Sequence, residues 1–150
     1  MRVYFAALLV GVFVGVVVVG CSSTPSVETP AGALSLFLAA MDRSAEDPGA
    51  LRAAYLLLDK RARQQLQLRA RKAETLAGRD LMPWEMLAEG RFRLRFAPAA
   101  RGGMRAKVTG NRAEVIVTGS AKGQQVKVPM VREPEGWRVE LAIPELQSNP

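Results

Sequence analysis

After a polar segment near the N-terminus, apolar positions recur with the 3.6-residue period of amphipathic helices. Three segments carry this period, and each follows a residue type that often caps a helix N-terminus. Gly78 predicts the end of the third helix, which runs from about Lys60 to Ala77. The capping residues are Thr29, Asp47 and Asp59. The apolar stripes are Leu34, Phe37, Leu38 and Met41, then Leu51, Ala54, Tyr55 and Leu58, then Ala62, Leu66, Ala70, Ala73 and Ala77.

Beyond Gly90 the hydrophobic period shortens to two residues, which is the period of β-strands. In the first such segment apolar residues alternate with the three arginines Arg91, Arg93 and Arg95. Later segments, separated by turn-forming residues, predict four more strands. These strands cover residues 104–109, 113–118, 125–131 and 137–143. A short helical turn around residues 83–87 precedes them.

Helices followed by antiparallel strands indicate the α+β class, with the helices covering one face of a curved sheet. The chain of 150 residues is long enough for one hydrophobic core. We therefore assign residues 29–146 to a single α+β domain and residues 147–150 to a tail.

Residues 1–20 are apolar except for Arg2, as in an export signal or a membrane anchor. The run ends at Cys21, which is the only cysteine of the chain. The segment Val18-Val19-Gly20-Cys21 resembles the lipobox of bacterial lipoprotein signal peptides. That resemblance implies cleavage before Cys21, attachment of diacylglycerol to its thiol and, usually, acylation of its amino group. An uncleaved anchor and an ordinary signal peptide are the alternatives.

Residues 21–28 are small and polar, and Pro25 among them favours an extended tether. Such a tether reaches about 25 Å when fully stretched, so the domain would stay close to the membrane. In lipoproteins of Gram-negative bacteria, an aspartate after the lipidated cysteine often signals retention in the inner membrane. Ser22 stands at that position, so the resemblance implies the periplasmic face of the outer membrane if the host has two membranes.

The domain resembles the nuclear transport factor two-like superfamily, a cone-shaped α+β fold, and in particular its small envelope lipoproteins. The residues that carry the likeness are Thr29-Pro30 through Met41, Ala54-Tyr55-Leu56-Leu57-Leu58-Asp59, and Glu135-Gly136-Trp137-Arg138-Val139. The resemblance implies a curved sheet with a pocket between sheet and helices. Enzymes of this superfamily commonly place an aspartate and a histidine in that pocket.

This chain has no histidine, so the resemblance does not extend to that catalytic pair. The acids that could replace it are Asp42, Asp59, Asp80 and Glu85, each of which also has a structural interpretation as a cap or turn residue. No loop resembles a calcium or phosphate motif, so no metal and no cofactor are predicted. We therefore expect a non-catalytic binding or scaffold domain. The alternative is a ligand carrier or enzyme that uses a buried carboxylate.

Basic residues exceed acidic ones, 21 to 14, and they cluster at two places. One is the third helix, with Lys60, Arg61, Arg63, Arg69, Arg71 and Lys72; the other is Arg91, Arg93 and Arg95. A solvated surface is the simpler interpretation of both. The more specific hypothesis is a contact between Arg91, Arg93 and Arg95 and an anionic envelope component such as lipid headgroups. Export argues against nucleic acid as a partner, and no residue indicates an oligomeric state.

Overall fold

The structure is a computed structural model, which describes residues 24–87, 94–100 and 103–146. Its elements follow the α+β order, with helices first and strands afterwards. The helices are α1 (Pro30–Arg43), α2 (Pro48–Leu56) and α3 (Lys60–Ala77), followed by a short 3-10 helix over Pro83–Met86. The strands are β1 (Met104–Thr109), β2 (Arg112–Thr118), β3 (Gln125–Glu133) and β4 (Gly136–Val139).

The predicted helix signals are confirmed at the start of α1, α2 and α3. Thr29 accepts a hydrogen bond from the Gly32 amide at 3.1 Å, and Asp47 accepts one from the Gly49 amide at 2.9 Å. These side-chain bonds satisfy amides that have no partner within the helix. Gly78 ends α3 in the left-handed conformation, with φ of 64°, which glycine adopts without steric cost.

The four strands form an antiparallel sheet in the order β1-β2-β3-β4, so each strand pairs with its neighbour in sequence. Val115 of β2 lies opposite Val128 of β3, and Ala113 lies opposite Met130. These residues share the inner face of the sheet, which is the face that the helices cover. The alternation predicted for β2 and β3 is confirmed, since the inner positions of β2 are buried and its ends are exposed.

The hydrophobic core lies between α1 and this inner face. Leu34, Phe37 and Met41 of α1 are buried in this core, and α1 contacts β1, β2 and β4. Trp137 of β4 is buried in the same cluster, as its position in an alternating apolar segment predicted. A second contact joins α2 to the 3-10 helix, where the rings of Tyr55 and Trp84 meet edge to face at a centroid distance of 6.2 Å.

Two predicted strands differ from the structure. The described residues Leu94–Phe96 bend and form no strand, and the segment that follows forms an isolated bridge to the sheet between Pro98 and Gly119. Pro98 has no amide hydrogen to donate, which limits further pairing. The last strand ends at Val139 instead of residue 143, because the chain then turns towards α3.

The β4 edge of the sheet is covered by other parts of the chain. The Trp137 amide donates to the Val27 carbonyl at 2.8 Å, and the Val139 amide donates to the Leu57 carbonyl at 2.9 Å. The Asp59 amide in turn donates to the Val139 carbonyl at 3.0 Å. The last residues of the predicted tether are therefore docked against the sheet from Val27 onwards.

Candidate functional site

The residues predicted to contact the membrane lie mostly outside the described ranges. Cys21, Arg91 and Arg93 fall in segments that the structure does not describe. Arg95 is described, and it is exposed in the bend that follows the predicted strand. The alternating arrangement expected for the three arginines therefore has one described member, and that member is not in a strand.

Arg95 lies beside a cleft of about 380 Å³ between α1 and the segment before β1. The lining residues are Leu38, Met41, Asp42, Leu94, Arg95, Phe96, Ala97 and Pro98. The apolar members come from both walls, whereas Asp42 and Arg95 are exposed and carry opposite charges. Apolar walls with a few charged groups are typical of small-molecule pockets. This cleft brings together a candidate acid, Asp42, and a candidate base, Arg95.

Asp59 is the one buried carboxylate among the described residues, and its bonds are structural. One oxygen, Oδ2, accepts from the amides of Arg61 at 3.1 Å and Ala62 at 3.4 Å. The other, Oδ1, accepts from the Leu141 amide at 3.3 Å. Both oxygens are therefore committed to the backbone, in agreement with the predicted role of Asp59 as a helix cap.

Glu85 is also committed to a local contact, in the first turn of the 3-10 helix. Its Oε2 accepts from the Met82 amide at 2.6 Å, and its Oε1 lies 3.4 Å from Nη1 of Arg79. The hydrogen bond from Met82 lowers the pKa of the Glu85 carboxyl below its usual value, and the Arg79 guanidinium acts in the same direction. Glu85 is thus a carboxylate at neutral pH and a poor proton donor. Asp80, the remaining candidate, is exposed in the turn before this helix.

Aromatic side chains help to fill the space between the helices and the inner face of the sheet. Trp137 is buried, and Trp84 and Phe96 pack partly buried against the same core. Phe92, an aromatic residue of the first predicted strand, lies outside the described ranges. Asp59, the buried carboxylate, lines a second cleft of about 460 Å³ beside the segment after β4, but both of its oxygens accept backbone hydrogen bonds.

Half of the basic residues on α3 have partners within the chain. Arg61 pairs with Glu145 at 3.2 Å, and Arg69 donates to the Pro144 carbonyl at 2.8 Å, so both hold the segment after β4. Arg63 pairs with the largely buried Glu133 at 2.9 Å. The other three, Lys60, Arg71 and Lys72, are exposed and form no ion pair among the described residues.

One buried cation was not singled out by sequence. Arg138 on β4 is 8% exposed, and its guanidinium donates to the carbonyls of Trp137 at 3.1 Å and Glu135 at 3.3 Å. Its Nε is buried without a hydrogen-bond partner, and no carboxylate among the described residues pairs with it. In the sequence, Arg138 stands between the apolar residues Trp137 and Val139, but an arginine at such a position in a strand is more often exposed.

The described ranges contain no group of three or more acidic, cysteine or histidine residues that could hold a metal ion. No helix within them combines the length and the apolar character that crossing a bilayer requires. In the comparisons with known proteins, no family model, no curated protein and no solved structure matched this chain.

Proposed function

We propose that this protein is a lipid-anchored envelope protein whose α+β domain binds or scaffolds another envelope component without catalysis. The observation that carries the proposal is the position of the only cysteine. Cys21 ends an uncharged apolar run and is preceded by Val18-Val19-Gly20, the pattern of a lipoprotein signal. A cysteine in a domain core would instead lie within one of the amphipathic segments.

The docking of Val27 supports a domain held close to the bilayer. Val27, whose carbonyl accepts a hydrogen bond from the Trp137 amide, lies six positions after Cys21 in the sequence. A fully extended chain of that length spans roughly 20 Å. Two or more acyl chains on Cys21 would make the attachment stable, because each buried methylene contributes about 0.8 kcal/mol.

A Cys21→Ser substitution tests the anchor. We expect it to abolish incorporation of a clickable palmitate analogue and to leave an unprocessed precursor, because the serine hydroxyl cannot replace the thiol in lipid transfer. The matched control is Ser22→Ala, one residue away, which should be labelled and processed like the wild type. Labelling that persists in Cys21→Ser, or a wild type that is never labelled, would contradict the proposal.

The proposed fold is the cone of the nuclear transport factor two-like superfamily. The α+β order, the three helices and the four-stranded antiparallel meander are compatible with it. Non-catalytic use of this fold is supported by the backbone bonds of Asp59 and by the local contacts of Glu85.

An anionic envelope surface is the proposed ligand, contacted by Arg91, Arg93 and Arg95. The exposure of Arg95 and the excess of bases over acids support this assignment. Lys60, Arg71 and Lys72 on α3 form no ion pair among the described residues and provide a control of equal charge.

Changing Arg91, Arg93 and Arg95 together to glutamate should reduce binding to phosphatidylglycerol vesicles at low salt at least tenfold in a sedimentation assay. Changing Lys60, Arg71 and Lys72 to glutamate alters the net charge equally and should reduce binding less than threefold. Equal losses would assign the effect to net charge. Binding by the wild type should weaken near physiological salt, where the Debye length is about 8 Å.

The cleft beside Asp42 favours a second candidate function, a carrier or enzyme acting on a small molecule. Its apolar walls and two exposed charges would suit a ligand of mixed polarity. The test is whether an Asp42→Asn variant restores the envelope phenotype of a strain that lacks this protein. Failure to restore it, at wild-type abundance and melting temperature, would favour this candidate over the scaffold.

A further inference from the structure

The sheet has one open edge in the described part of the chain, and that edge is β1. The opposite edge, β4, is covered by Val27 and by residues 57–59. From Arg105 to Thr109 every residue of β1 is exposed, and Val108 is 54% exposed although it lies on the inner, apolar face. An open edge of this kind is a template for pairing with another strand.

The register of the sheet identifies the backbone groups that are free. The Thr118 amide donates to the Gly103 carbonyl at 2.7 Å, so Gly103 belongs to the residues bonded to β2. Bonding alternates along an antiparallel strand. Arg105, Lys107 and Thr109 therefore bond to β2, whereas the amides and carbonyls of Ala106 and Val108 point to the open edge.

The side chains at this edge define the chemistry of a partner strand. On the inner face, Ala106 and Val108 extend the apolar surface beyond the helices. On the outer face, Arg105 and Lys107 are exposed and form no ion pair among the described residues. Glu114, which lies opposite Lys107, pairs instead with Lys127 at 3.0 Å. The edge thus combines free backbone groups, an apolar strip and two uncompensated cations.

A second copy of this chain would fit poorly at the edge. An antiparallel copy that paired Ala106 with its own counterpart would place Arg105 opposite Lys107 of the copy. A shift that paired Ala106 with Val108 of the copy would place the two Lys107 side chains opposite each other. Like charges directly opposite on neighbouring strands are destabilising, so the edge disfavours self-association.

We propose that the β1 edge, at Ala106 and Val108, binds an extended segment of a partner protein in which acidic and apolar side chains alternate. The segment adds a fifth strand to the sheet. Its acidic side chains lie beside Arg105 and Lys107, and its apolar side chains lie beside Val108. The site depends only on the folded domain and goes beyond the lipid anchor, so either can fail without the other.

The test uses the full-length protein in a nonionic detergent and an eight-residue capped peptide that alternates glutamate and valine. A lysine and valine peptide is the control probe. In amide hydrogen exchange followed by NMR, the glutamate peptide should slow exchange at Ala106 and Val108 at least tenfold. Exchange at Arg105 and Lys107, whose amides already bond to β2, should change less than twofold. Failure of the Ala106 and Val108 amides to gain protection would overturn the proposal.

Three variants separate strand addition from general attraction. Ala106→Pro removes an edge-facing amide, which edge strands tolerate, and should weaken peptide binding at least tenfold, whereas Ala106→Thr should retain it. Arg105→Glu with Lys107→Glu should reverse the preference towards the lysine peptide. The matched control, Arg71→Glu with Lys72→Glu, makes the same charge change on α3 and should keep the glutamate preference.

Two further outcomes would also overturn the proposal. Equal losses in the two double variants would show that net charge alone attracts the peptide. Protection of Ala106 and Val108 without peptide, together with a dimer in analytical ultracentrifugation, would assign the edge to a second copy. If Ala106→Pro does not fold, the charge-reversal pair and the wild-type exchange data still give the answer.

Discussion

The carboxylate of Asp59 caps α3 with one oxygen and holds the Leu141 amide with the other. The capping half of this role could be read from sequence, since aspartate before a helical period is a common cap. The contact with Leu141 could not, because it joins residues far apart in the chain. The burial of Arg138 and Glu133 could not be predicted from the sequence either, because it depends on which elements lie above the strands.

Asp59→Ala should therefore cost more stability than the loss of an ordinary cap. Removing the cap costs about 0.5 to 2 kcal/mol, and leaving the partly buried Leu141 amide without a partner adds about 1 to 3 kcal/mol. We expect the free energy of unfolding in urea to fall by about 2 to 4 kcal/mol. Asp47→Ala removes only one exposed hydrogen bond, from the Gly49 amide, and should lower the free energy of unfolding by about 1 kcal/mol. Equal effects would show that the Leu141 contact contributes nothing.

At the scale of elements, helix starts and stops were predictable because their signals are local. Thr29, Asp47 and Gly78 act within one turn of the helix that they bound. Strands are less predictable, since alternation shows only that a segment could pair. Leu94–Phe96 alternates but bends, because the sheet offers it one bridge at Pro98. The chain after Val139 alternates too, but contacts with Asp59 and α3 redirect it.

At the scale of the whole molecule, the two edges of the sheet differ in whether other segments cover them. The β4 edge is covered by Val27 and by residues 57–59, while no segment in the described ranges covers the β1 edge. Closure at Val27 depends on Gly136, whose φ is 115° and whose position leaves no room for a Cβ beside the Val27 carbonyl. The docking of the predicted tether therefore rests on one glycine in a conformation that other residues rarely adopt.

Gly136→Ala should release the segment around Val27 from the sheet. Strain at this φ costs about 1 to 3 kcal/mol, and the added Cβ would lie 2.7 Å from the Val27 carbonyl oxygen. We expect lower stability and at least tenfold faster amide exchange at Trp137. The control is Gly123→Ala, where φ is 83° and no atom lies within 4 Å, so that it reports strain alone. An unchanged Trp137 exchange rate in Gly136→Ala would show that the docking does not depend on this glycine.

The sequence by itself determined the α+β class, the three helices with their caps, and the alternation of inward and outward side chains along most strands. These features follow from periodicity and local hydrogen bonds. It also supplied the proposed anchor, since a lipobox is a linear motif. Tertiary structure alone decided which bases are paired, which edge is open and what shares the cleft beside Asp42. These properties depend on side chains brought together from distant segments, and a pattern along one chain does not specify such contacts.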